Sequence, residues 1–243
     1  MKAERNIRLF VKNNLTEQKT ISLPEAQSHY LINVMRCRQG DSVCCFDGIS
    51  GEYKAEITVA DKKGTILAIK EKKRDIGPEK DIWLLFAPLK KDKTDFVIEK
   101  AVELGVSKII PVITARTNSE RIKIERYEAQ AIEAAEQSER LTVPEIEAAV
   151  SLEKLIKEWD KQRTLFFMDE HRQGNSAKQV FSLNQSEKTA VLIGPEGGFD
   201  AIETATLNKC SFVKNVSLGP RILRAETAAI ASLAVWQAIS GDW

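Results

Sequence analysis

Ala190-Val191-Leu192-Ile193-Gly194-Pro195-Glu196-Gly197-Gly198-Phe199-Asp200 carries an apolar run straight into a glycine-rich turn and on to a helix start. A continuous apolar run suits a strand buried on both faces, the condition of a parallel sheet covered by helices. Asp200 can cap the helix, with Glu203 three residues on as the reciprocal partner. The pattern repeats outward from this point. Ile82–Phe86, Lys108–Ile113, Leu165–Met168 and Val213–Leu218 read as further strands. Asp92–Leu104, with Gly105 at its end, Arg121–Glu139 and Glu226–Ile239 read as helices. Strands alternating with helices imply an open, largely parallel α/β sheet.

Ahead of this region the pattern differs. Arg8–Val11, Ser42–Phe46, Gly51–Val59 and Thr65–Ile69 are short alternating strands, with turn signals at Gly40-Asp41, Asp47-Gly48 and Lys63-Gly64. One helix is expected from Leu23-Pro24 to Met35, with Pro24 able to hold a first helical position. Short strands with a single helix suggest a small β-barrel at 1–72. The charged stretch ending at Gly77-Pro78 reads as a linker, placed at 73–78, and residues 79–243 form the second domain.

Composition narrows the function classes. The chain has 243 residues and net charge +1, so charge alone does not mark a nucleic-acid binder. Its distribution is uneven: residues 1–78 hold 14 Lys and Arg against 10 Asp and Glu, and the remainder holds 22 against 25. The front part is therefore the one suited to a polyanion. Four cysteines (Cys37, Cys44, Cys45, Cys210) lack paired spacing, and His29 and His171 are the only histidines, so neither a metal site nor a Cys–His nucleophile is expected. With no run long enough to span a membrane, the chain reads as soluble and cytoplasmic.

In open parallel sheets, ligands sit outside the carboxyl ends of strands. Two loops fall there. Gly194–Asp200 has neither the P-loop nor the G-x-G-x-x-G spacing, and it carries Glu196 and Asp200 with no Lys or Arg. Its field disfavours phosphate and suits a nucleoside-type ligand with a positive centre, such as S-adenosylmethionine. The second loop, Leu218-Gly219-Pro220-Arg221-Ile222-Leu223-Arg224-Ala225-Glu226-Thr227, offers apolar walls to an adenine. Lys90-Lys91-Asp92-Lys93 lies at the same side of the sheet and could hold RNA phosphates.

Taken in order, these loops resemble the RsmE-type family of 16S ribosomal RNA uridine-N3 methyltransferases, of the SPOUT superfamily. The resemblance extends through His29–Arg36 with Gly40-Asp41, Lys91–Phe96 with Glu99–Gly105, Glu136–Arg140 and Val143–Ile146. It implies a PUA-like β-barrel followed by an α/β domain with a trefoil knot, a homodimer, and 16S ribosomal RNA or the 30S subunit as substrate. S-adenosylmethionine would lie against Met168, Asp169, Ile193, Gly194, Pro195, Glu196, Gly197, Gly198, Leu218, Gly219, Pro220, Ile222, Leu223, Thr227 and Ala228, with Glu170 and His171 beside them. RNA contacts would fall at Arg5, Arg8, His29, Arg36, Lys90, Lys91 and Lys93. The catalytic candidates are Arg224, Glu226, Lys93, Arg116 and Arg140, with Arg224 stabilising charge that develops on the uridine. The alternatives are a SPOUT enzyme acting on a ribose 2′-hydroxyl or another base atom, and a non-catalytic RNA-binding assembly protein. The last helix, apolar all round, is too apolar for one buried face and fits a subunit interface.

Overall fold

A computed structural model describes residues 7–117, 122–169 and 174–243. The chain divides into two compact units, Met1–Pro78 with Ala135–Val143, and Glu79–Ala134 with Pro144–Trp243.

The first unit is built on β1 (Arg8–Phe10), β2 (Thr20–Ser22), α1 (Glu25–His29), β3 (Ser42–Phe46), β4 (Glu52–Val59) and β5 (Ile66–Arg74). The sheet runs β1-β3-β4-β5-β2, parallel only between β1 and β3. Alternation turns Val43, Cys45, Ala55, Ile57 and Leu67 into one core, closed by Leu9, Ile21 and Leu31. Pro24 stands just before the first residue of α1 rather than inside it, and the helix widens into a π-turn over Tyr30–Val34. Strand β5 is longer than its apolar run because Lys72 and Arg74 pair with Tyr53 and Glu52 of β4, so the irregular connector starts at Asp75 and not at 73. Gly51 is required where these strands bulge: its φ is +103°, and a Cβ there would lie 2.3 Å from the Arg74 carbonyl oxygen.

The second unit comprises β6 (Asp81–Phe86), α2 (Lys91–Glu103), β7 (Lys108–Ile113), α3 (Ile124–Gln137, whose last turn belongs to the first unit), β8 (Glu145–Ile146), β9 (Val150–Ser151), α4 (Leu152–Lys157), β10 (Thr164–Met168), β11 (Asn175–Ser176), α5 (Ala177–Ser182), β12 (Lys188–Ile193), α6 (Ala201–Asn208), β13 (Val213–Ser217) and α7 (Ala225–Ser240). Its sheet, β11-β13-β10-β12-β6-β7-β8, is parallel throughout, and β9 adds to β7. The apolar runs are buried as expected: Leu84 and Leu85, Leu165 and Phe166, Val191 and Leu192 are all 0% exposed. Asp200 and Glu203 form the capping box at α6.

Helix α7 is not buried all round within the chain. Ala229, Ser232, Leu233, Trp236 and Gln237 form a buried stripe, while Ile230, Ala231, Ala234, Val235 and Ile239 stay half-exposed.

Candidate active site

Three neighbouring strands set the site. Strand β10 ends in Met168 and leads to Asp169, β12 ends in Ile193 before the Gly194–Asp200 loop, and β13 leads into Leu218-Gly219. These carboxyl ends surround a cavity of about 350 Å³, within the usual range of small-molecule pockets. Of the residues assigned to the cofactor from sequence, Met168, Asp169, Ile193, Gly194, Pro195, Glu196, Leu218, Gly219, Ile222, Leu223 and Ala228 line it. Gly197, Gly198, Pro220 and Thr227 do not, and the sequence reading omitted Val216, Arg221 and Ala225, which do. Val216 is wholly buried in its strand, and only its place next to Ser217 at the strand end could have marked it.

Backbone demands differ between the two loops. Gly219 has φ +108° with open space where a Cβ would be, so its conformation rather than crowding selects glycine. Gly194 is a close approach instead: a Cβ there would meet the Phe199 ring at 2.6 Å. Gly197 imposes neither demand, since a Cβ would make ordinary contact with Arg116 at 3.5 Å.

A charged trio includes two residues that line the cavity, Lys93 and Glu196. Lys93, in the first turn of α2, pairs with Glu196, and its Nζ lies 3.6 Å from Oε1 of Glu226 in the first turn of α7. The Lys93 hydrogen bond holds the Glu196 carboxyl below its ordinary range, and that same bond raises Lys93. Oε2 of Glu226 is buried without a hydrogen-bond partner. Arg224, exposed at the N-cap of α7, lines the cavity and is close enough to act electrostatically on both Lys93 and Glu196. Arg224, Lys93 and Glu226 are thus brought together. Arg116 is held elsewhere in the same unit, where its Nη1 donates to the Gly197 carbonyl at 2.7 Å. Arg140 belongs to the first unit, and its Nε donates to Thr142 Oγ1 at 2.9 Å.

Among the residues assigned to RNA, Arg8 needs correction. It is 6% exposed, and its Nε pairs with Glu52 at 2.7 Å. Its other donors go to the carbonyls of Ala135, Glu136 and Arg140, at 2.9–3.0 Å. The guanidinium also lies 4.8 Å from the Phe46 ring centre, so Arg8 offers nothing to a phosphate. His29, Arg36, Lys90 and Lys91 are exposed, whereas Arg5, Glu170 and His171 lie outside the described residues. Among the described residues, no group of three or more His, Cys, Asp or Glu is placed to hold a metal ion.

The cavity's chemistry fits S-adenosylmethionine on this chain's own features. Apolar walls from Met168, Leu218, Ile222, Leu223 and Ala228 suit an adenine, and the carboxylates of Asp169 and Glu196 suit a cation.

Comparisons with known proteins agree with that class. A family model described as an RNA methyltransferase PUA domain matches residues 23–70, and one described as an RNA methyltransferase domain matches 77–237. Fold and site together are those of an α/β RNA methyltransferase with a PUA domain in front. The chain is 34% identical to Ribosomal RNA small subunit methyltransferase E of Rickettsia conorii, with 93% of each chain covered, and 31% identical to that of Bacillus subtilis, with 91% of each covered. The crystal structure of Ribosomal RNA small subunit methyltransferase E from Neisseria gonorrhoeae, bound to S-adenosyl methionine, superposes with a TM-score of 0.89 at 30% identity, covering 98% of this chain and 100% of that one. The chain belongs to the ribosomal RNA small subunit methyltransferase E family.

Proposed function

We propose that this protein methylates N3 of a uridine in 16S ribosomal RNA of the small subunit, using S-adenosylmethionine. The observation that carries the reading is the cavity at the carboxyl ends of β10, β12 and β13, where apolar walls meet a cluster of carboxylates and Arg224. The bound cofactor would supply an electrophilic methyl group on a sulfonium. Uridine N3 is a poor nucleophile until its imide proton leaves, so the protein must favour the charge that develops on O2 or O4. Arg224, which lines the cavity, is assigned that task. Glu196, tied to Lys93, orients, and so does Glu226, which keeps one buried oxygen without a hydrogen-bond partner.

The remaining assignments extend this proposal. The cofactor site lies in the second unit, and the first unit docks the RNA, with His29 and Arg36 on its surface and Lys90, Lys91 and Lys93 on the second. The protein works as a homodimer. The half-exposed apolar side of α7 (Ile230, Ala231, Ala234, Val235) supports this, because such a stripe gains by burial and small residues allow close helix approach. No helix among the described residues is long and apolar enough to cross a membrane, and the proposed place of action is the cytoplasm.

Nucleosides from 30S subunits lacking the modification, treated with protein and S-adenosylmethionine, test the proposal by mass spectrometry. A new 3-methyluridine is expected. A 2′-O-methylated nucleoside, a methyl on another base atom, or cofactor binding with no product on any RNA would overturn it in favour of the corresponding alternative.

A further inference from the structure

Strand β6 separates β12 from β7 in the sheet, yet the segments that follow β12 and β7 are joined over it. The Ala115 N–H donates to Oε1 of Glu203 at 2.8 Å, and Arg116 Nη1 donates to the Gly197 carbonyl at 2.7 Å. Glu203 is also the capping-box residue of α6. Its Oε2 accepts the Asp200 N–H at 3.0 Å, while Asp200 Oδ1 accepts the Glu203 N–H at 2.7 Å. The receiving turn is fixed within itself, by Thr114 N–H to Thr117 Oγ1 at 2.9 Å and Thr117 N–H to the Thr114 carbonyl at 3.1 Å.

A helix cap requires only one oxygen of such a carboxylate. The second oxygen of Glu203 reaches a backbone N–H 88 residues away in sequence. We propose that Glu203 is a positioning residue, which sets the Gly194–Asp200 loop against the Thr114–Thr117 turn and so holds the cofactor loop in its binding shape. This rests on the cofactor reading above. The chemistry demands a carboxylate, because two separate N–H donors need two acceptor oxygens. Glutamine offers one oxygen and turns an NH₂ toward the other N–H, leaving one donor without a partner.

Asp200 provides an internal control. Asp200→Ala removes a cap bond but not the bond between segments, whereas Glu203→Ala removes both kinds. In the full chain, both variants should lower the melting temperature, Glu203→Ala by more. Only Glu203→Ala and Glu203→Gln should raise the calorimetric Kd for S-adenosylmethionine, by about tenfold, the scale of a lost hydrogen bond to a charged group. Amide exchange at Ala115 should be slow in the wild type and in Asp200→Ala, and fast in Glu203→Ala. If Glu203→Ala keeps the wild-type Kd, or if Asp200→Ala weakens binding equally, Glu203 is a helix cap and nothing more. Should the wild-type chain bind no S-adenosylmethionine, the cofactor reading fails, and the exchange rates still decide the link: slow exchange at Ala115 in Glu203→Ala would overturn it.

Discussion

In the first unit, Glu52 lies between Arg8 and Arg74 with 8% of its side chain exposed. In the second, Lys93 lies between Glu196 and Glu226, whose side chains are 37% and 15% exposed. Both are three-membered charge clusters, and the difference lies in what is left over. Around Glu52, both carboxylate oxygens are engaged by the two arginines, and Arg8 directs its remaining bonds to three backbone carbonyls. Around Lys93, one oxygen of Glu226 has no partner, and the cluster opens on a cavity. A buried ion pair with both carboxylate oxygens engaged contributes to the fold's definition. A cluster that keeps an unsatisfied oxygen beside a pocket keeps capacity for a ligand.

The largest expected effect follows from the closed cluster. Arg8→Met removes one partner of a buried pair and strands three carbonyls, so it should destabilise the first unit by about 3–5 kcal/mol in urea unfolding. It should leave the salt dependence of RNA affinity unaltered, since Arg8 does not face a phosphate. A variant of wild-type stability whose salt slope falls by roughly 1 would return Arg8 to the RNA interface. The same cluster sets an acid limit. Burial acts to raise the Glu52 carboxyl, but the bonds from Arg74 and Arg8 outweigh it and hold the group below its ordinary 4.5. A depressed carboxylate contributes stability above its unfolded value and loses it as pH falls through the folded one. Unfolding of the first unit should therefore turn steeply pH-dependent only below about pH 4.5, and Glu52→Gln should flatten that dependence.

Next in size is Arg224→Ala, on the open side of the comparison. Single-turnover methylation should fall by roughly 10²-fold, the scale of a lost oxyanion-type donor, with cofactor affinity little changed. Raised pH should restore part of the rate by removing the imide proton. Loss of cofactor affinity alone, or a wild-type rate, would leave Arg224 without a part in the transfer.

How far each cluster was legible in the sequence follows from the same contrast. The open one was largely readable: Glu196 lies in the loop that directly follows the buried apolar run of β12, Arg224 and Glu226 stand at the start of the last helix, and the capping pair Asp200–Glu203 has a local signature. The closed one was not. Arg8 looks like any surface arginine until residues 135–140, at least 127 positions away, supply its carbonyls. Elements failed in the same way. Strands β2, β8, β9 and β11 have two or three residues each and exist only by pairing, so no periodicity announces them. The six-residue helices α4 and α5 did carry a signal, since Ser151 and Ser176 cap them through their hydroxyls.

A smaller effect belongs to Gly219. At φ +108° a branched side chain is strained whatever room surrounds it, at a cost on the order of 1–3 kcal/mol. Gly219→Val should therefore weaken S-adenosylmethionine binding by about tenfold or more as the loop shifts to relieve that strain. Wild-type affinity in calorimetry would mean that this loop does not touch the cofactor.

The smallest expected effect tests the comparison most directly. Lys93→Met breaks the open cluster as Arg8→Met breaks the closed one, but the pair it removes is in contact with water. Solvent screens such pairs, so the unfolding midpoint should stay within error of the wild type. The bond to Lys93 lowers Glu196 and raises Lys93, so the pair holds from below the ordinary carboxylate value of 4.5 to above the ordinary lysine value of 10.5. Removing Lys93 should let Glu196 titrate nearer 4.5, and cofactor affinity should then decline at a higher pH than in the wild type. At neutral pH the Glu196 carboxylate faces a cationic ligand without competition from Lys93, and S-adenosylmethionine should bind as tightly or up to about threefold more tightly, the scale of one exposed ion pair. Single-turnover methylation measured alongside would show whether Lys93 has a part beyond this pairing. A Lys93→Met chain that unfolds as readily as Arg8→Met would erase the distinction, because the cluster at the cavity would then be holding the fold.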